Sequence, residues 1–237
     1  MSRSLRSEWV KVVTTRTFLW IALADLALVV ITSISVAASS DPINSASDNR
    51  SVAQIAGVAV LFALVGGVVG MAGESTHGTI TQTLLVTPVR ERVFAAKAVA
   101  AAVVGLALAV VSEAVVLLIT VPGAGLSVHD ARATLLGVLV AAPLAAMLGV
   151  GLGAVVRGQG GGIAIALIWL LVGENLMPLI DRDATRYAPG RAFAALTSGT
   201  REGTDVILGM GGGAAAAAAW TTVFVAAGLF VLLGRDV

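Results

Sequence analysis

Residues 52–72 read VAQIAGVAVLFALVGGVVGMA, from Val52 to Ala72, without one charged side chain. An α-helix rises about 1.5 Å per residue, so a run of this length crosses a hydrocarbon core of about 30 Å. Outward from it, comparable apolar runs occupy residues 18–38, 98–121, 133–156, 163–180 and 211–233. The last is the weakest, because Ala214 to Ala219 contribute little transfer energy. Trp220, Val223, Phe224, Leu229 and Phe230 carry most of its hydrophobicity. The pattern predicts an all-α integral membrane protein, a bundle of six transmembrane helices forming one domain over residues 1–237. Barrel strands alternate apolar and polar residues, whereas these runs are continuous, so a barrel is excluded.

Composition agrees. Hydrophobic residues make up 57% of the chain and charged residues 12%, too little polar surface for a soluble domain of this size. Aromatic residues are only 5%, while Ala, Val, Leu and Gly dominate, which suits closely packed helices. With no cysteine, no disulfide framework, zinc–thiolate site or iron–sulfur cluster can be built.

The connecting segments alternate in charge. One set holds Arg3, Arg6, Lys11, Arg16, Arg90, Arg92, Lys97, Arg157 and Arg235 against few acids. The other holds Arg50, Arg132, Arg182, Arg186, Arg191 and Arg201 against more acids, Asp41, Asp48 and Asp181 among them. The positive-inside rule therefore predicts a multi-pass protein of the cell membrane with both termini in the cytoplasm. Val36-Ala37-Ala38 resembles a cleavage site, but the basic region is long and the apolar run exceeds a signal core, so an uncleaved first span is expected.

Within residues 1–17, Leu5, Trp9, Val12 and Val13 share one helical face. Arg3, Arg6 and Lys11 lie elsewhere, as in an amphipathic helix at the inner interface. Residues 181–210 are too long for a turn. Pro189-Gly190 and the mixed face after it predict short re-entrant or surface helices on the outer side. The Gly158–Gly162 stretch lacks the Lys of a phosphate-binding loop and is read as a turn. Gly66 with Gly70, and Gly149 with Gly153, have the spacing of close helix crossings and are read as packing.

Asp25, Glu113 and Glu174 sit within spans or at their edge, where an ionised carboxylate is costly, so each is a candidate functional residue. For Asp25 and Glu113 the competing reading is a protonated or hydrogen-bonded structural group. For Glu174, close to Asn175 and Pro178, it is capping or anchoring of the outer helices. His77 and His129 have no metal-ligand spacing around them, and no nucleophile or metalloprotease motif occurs. No catalytic residue and no metal site are expected, and no substrate-binding residue is legible.

The most specific stretch is the cytoplasmic segment 73–92. It contains Glu74, Gly78, Thr79, Ile80, Leu84, Pro88 and Arg90, and Lys97 opens the third span. Residues 79–86 can form a short helix with Ile80 and Leu84 on one face, stopped by Pro88. An apolar face in the cytoplasm needs a protein partner. In its order of residues this segment resembles the permease subunits of type 2 ABC transporters, which show Glu, then Gly-Thr-Ile, Leu, Pro-x-Arg and a Lys starting the third helix. Leu5, Glu8, Trp9 and Lys11 resemble that family's amphipathic N-terminal helix. Glu174, Pro178 and Pro189-Gly190 resemble its fifth helix and outer re-entrant segment.

The resemblance implies that segment 73–92 carries a coupling helix docking on a separate ABC ATP-binding subunit. It also implies a second permease copy or paralogue, membrane lipids as neighbours, and no nucleic acid. ATP and magnesium would be bound by the partner, and this chain would be no enzyme and hold no cofactor. Export of a hydrophobic or amphipathic cargo is expected, since nothing suggests a docking site for an external binding protein. A proton-coupled secondary transporter using Asp25, Glu113 and Glu174, or a non-transporting membrane scaffold or sensor, are the competing readings.

Overall fold

The structure, a computed structural model, describes residues 8, 9, 11, 14–39, 43, 45–76, 89–156, 158–200, 202, 203 and 207–234, the side chains of Ser75 and Arg182 excepted. Among them every regular element is helical. Six helices are long and apolar enough to cross a membrane: Arg16–Ala37, Ala46–Glu74, Arg90–Ala124, Val128–Val156, Gln159–Leu179 and Met210–Leu233. They are called the first to sixth spans below. Successive spans run antiparallel, so the bundle has two ends. The Lys97 end gathers Glu74, Arg90, Val156, Gln159 and Leu233; the Pro189 end carries the helix Pro189–Thr197 between the fifth and sixth spans.

Several spans reach beyond the apolar runs. The second begins at Ala46 rather than 52, because Ser45 and Asp48 form a capping box that starts a polar helix Ala46–Ala53. A 3-10 turn, Gln54–Gly57, then joins it to the apolar helix. The third begins at Arg90 rather than 98 and runs for 35 residues, ending where Gly125 takes φ 74°. Lys97 therefore lies two turns inside a helix instead of opening it.

The fourth span is the most buried and forms the centre. It packs on the second through backbone contact: a Cβ on Gly67 would fall on the Ala146 carbonyl, and one on Gly149 on that of Leu64. Gly153 approaches the Val68 carbonyl. Gly66 and Gly70, the pair expected at a crossing, instead lie under the Phe18 ring of the first span. On its other side the fourth span meets the sixth through Gly151 and Gly228, and Thr221 Oγ1 donates to the Leu144 carbonyl at 3.2 Å. The first and fifth spans are peripheral and expose Leu19, Trp20, Ile31, Ile168 and Leu171. In a bilayer that surface meets lipid.

Candidate functional site

The Lys97 end holds a closed ring of four charges. Lys97 Nζ donates to Glu8 Oε2 at 2.9 Å and to Glu74 Oε1 at 2.6 Å. Lys11 Nζ donates to Glu8 Oε1 at 2.9 Å and to the same Glu74 Oε1 at 2.6 Å. Two carboxylates and two ammonium groups alternate, so the formal charge cancels. Glu8, Glu74 and Lys97 are each buried, 8%, 8% and 4% exposed. Ions out of water are tolerated only when paired and hydrogen-bonded, as here. Burial works against the charge on Lys11, but the Glu74 and Glu8 carboxylates outweigh it and raise its pKa above 10.5. Glu74 Oε2 is buried and has no hydrogen-bond partner among the described residues.

The ring joins three separate parts of the chain: the N-terminal segment, the end of the second span and the third span. Residues 8, 9, 11 and 14 have helical backbone, with Trp9 exposed and Glu8 turned inward. Further bonds bind this end together. Arg90 Nη1 donates to the Leu232 carbonyl at 3.1 Å, at the last turn of the sixth span. The Gln159 amide donates to Thr76 Oγ1 at 3.4 Å, tying the fifth span to the second. Of the segment expected to couple to a partner, Glu74 and Arg90 are thus placed. Gly78, Thr79, Ile80, Leu84 and Pro88 lie outside the described residues.

At the Pro189 end, Glu174 is 4% exposed and spends both oxygens on the short helix beside it. Oε1 accepts the Gly190 amide at 2.5 Å and the Trp169 indole N–H at 3.1 Å; Oε2 accepts the Arg191 amide at 2.9 Å. These amides belong to the first turn of Pro189–Thr197, whose donors have no partner within the helix. The carboxylate is therefore a cap supplied from another element. A side chain at 190 would strike Leu170 and both Glu174 oxygens, which explains the glycine. The fifth span makes a π turn at Trp169–Gly173, so Trp169 and Glu174, five residues apart, meet along it.

Asp25 is fully buried between the first and third spans, and Ser112 Oγ donates to its Oδ2 at 2.7 Å. Its Oδ1, Glu113 Oε1 and Ser33 Oγ are buried without hydrogen-bond partners among the described residues. The three intramembrane acids do not form one site. Glu174 belongs to the fifth span and its cap, Asp25 and Glu113 to the first and third spans. His129 Nδ1 lies 3.4 Å from Asp130 Oδ1 and its side chain is exposed.

Sequence reasoning singled out Glu8, Lys11 and Glu74 of the ring and placed Lys97 at the opening of the third span. The place of Lys97 inside the helix follows from a start at Arg90, which hydropathy does not show. Ser112, Trp169 and the Gly190 and Arg191 amides carried no signal of their own, since their roles depend on neighbours distant in sequence. No family model matches the chain, and no curated protein matches it.

Proposed function

We propose that the chain is the membrane-spanning permease subunit of an ATP-driven type 2 ABC transporter, moving a hydrophobic or amphipathic cargo such as a drug, an antimicrobial peptide or a lipid out of the cell. The observation that supports this most is the ring of Glu8, Lys11, Glu74 and Lys97 at the root of residues 77–88. In this reading those residues dock on a separate ATP-binding subunit, which binds ATP and magnesium, and the Lys97 end faces the cytoplasm. A push on the docked segment reaches Glu74 and Lys97 together, because one oxygen of Glu74 holds both ammonium groups. The second and third spans then move as a unit, and the N-terminal segment moves with them. A second permease copy or a paralogue completes the pathway, and the two halves alternate between states of different cargo affinity.

A proton-coupled carrier is the second reading, favoured by the buried oxygens of Asp25 and Glu113 that have no hydrogen-bond partner among the described residues. The two separate in transport assays on membrane vesicles. The ABC reading expects vanadate to stop transport and an uncoupler to leave it, with Glu113→Gln still active. Transport that ignores vanadate and collapses with the uncoupler would overturn it.

A further inference from the structure

Beneath the Pro189–Thr197 helix lies a cavity of about 670 Å³, walled by the second, fourth, fifth and sixth spans of a single chain. Leu64, Leu148, Leu152, Phe193, Trp220 and Phe224 form its body, and none of its lining residues is charged. Its few polar groups, Gln54, Thr197 and Ser198, gather at one rim. Glu174 is adjacent, but its oxygens are turned away onto the Gly190, Arg191 and Trp169 donors.

Water has almost nothing to bind in such a space, and apolar cavities stay dry. A void this large would also forfeit the contacts of every side chain around it, and its volume falls in the usual range for small-molecule pockets. The mouth is legible from exposure. Leu61 of the second span and Ile165 and Trp169 of the fifth line the cavity and are also exposed. Gln54 and Ala194, at the Pro189 end, also line the cavity and are exposed, so the opening runs along the gap between those spans up to that end. Trp220, near the middle of the sixth span, donates its indole N–H to the Tyr187 carbonyl at 2.7 Å, which ties that wall to the segment before the Pro189–Thr197 helix.

We propose that this cavity binds one amphipath by its uncharged part, the hydrocarbon chain between Leu148 and Phe224 and the uncharged polar group next to that chain at Gln54, Thr197 and Ser198. It enters sideways from the bilayer. The proposal rests on the membrane placement and not on the energy source. The occupant comes either from the surrounding phospholipid, one of whose chains enters, or from a separate uncharged amphipath.

Photolabelling with a diazirine-bearing hexadecylglycerol tests it on the full chain, first in detergent and then in phosphatidylcholine vesicles. Adducts are expected on Leu148, Phe193 and Phe224, besides those on the exposed Leu118 and Leu136. Gly57 lines the cavity and a Cβ there meets nothing within 4 Å, so Gly57→Phe fills it without a clash at the backbone. Ala194→Phe fills it from the other wall. Either variant should lower the cavity adducts about tenfold and leave those on Leu118 and Leu136 unchanged. Cavity adducts that vesicle phosphatidylcholine removes assign the site to a phospholipid chain; adducts that survive it assign a separate amphipath. The absence of adducts on the cavity walls, or cavity adducts undiminished in both variants, would overturn the proposal.

Discussion

Lys97 has two carboxylates within 2.9 Å and is 4% exposed, so neither its charge nor its partners can be replaced by water. Lys97→Met leaves Glu8 and Glu74 facing each other with Lys11 alone between them. Breaking a buried pair from one side costs about 3–5 kcal/mol. Thermal unfolding in detergent should show that loss, and Lys97→Met with Glu74→Gln should recover part of it. Strict additivity of the two changes would mean that the residues are not coupled. The charge of Lys11 is held above its ordinary range, so its contribution is complete below pH 10.5 and fades as pH rises past its raised value. From the sequence, Glu8, Lys11 and Glu74 could be named, but not their meeting, because Lys11 and Glu74 are 63 residues apart and Glu8 and Lys97 are 89 apart.

Helix positions were more legible than helix lengths. Every apolar run lies within or close to a span, yet the third span starts at Arg90 and the second at Ala46. Hydropathy cannot see those extensions. One is polar and begins at a capping box; the other is held by Arg90 on the sixth span and Lys97 in the ring. The glycine crossings were half legible. Gly149 and Gly153 meet the second span, but its partner there is Gly67, outside any G-x-x-x-G spacing with them. The Pro189–Thr197 helix follows a signal visible in sequence, Pro at its first position, while its cap comes from Glu174 of the fifth span. Glu174→Ala would strand the Gly190 and Arg191 amides at a cost of about 1–3 kcal/mol. Hydrogen exchange should then rise over Pro189–Thr197 and stay unchanged in the fourth span. A uniform rise through the bundle would show a general destabilisation rather than a lost cap.

At the scale of the molecule, the antiparallel order puts Ser47 and Thr200 at one end and Ser75 and Gln159 at the other. Single cysteines at the first pair should react with an impermeant thiol reagent from outside, and those at the second pair only from the cytoplasm. Outside labelling at Ser75 would invert the arrangement. The larger claim is that residues 77–88, rooted in the charged ring, hold an ATP-binding partner. Ile80 and Leu84 are its expected contacts, and burying two aliphatic side chains supplies about 3–6 kcal/mol before ordering costs. Ile80→Asp would place a charge in an apolar groove without affecting insertion into the bilayer. The most direct measurement is the ATPase activity that accompanies the chain when it is purified from its native membrane in mild detergent. Vanadate-sensitive hydrolysis should accompany the wild-type chain and be lost with Ile80→Asp at equal membrane levels. Hydrolysis absent from the wild-type preparation, or fully retained by the variant, would contradict the account.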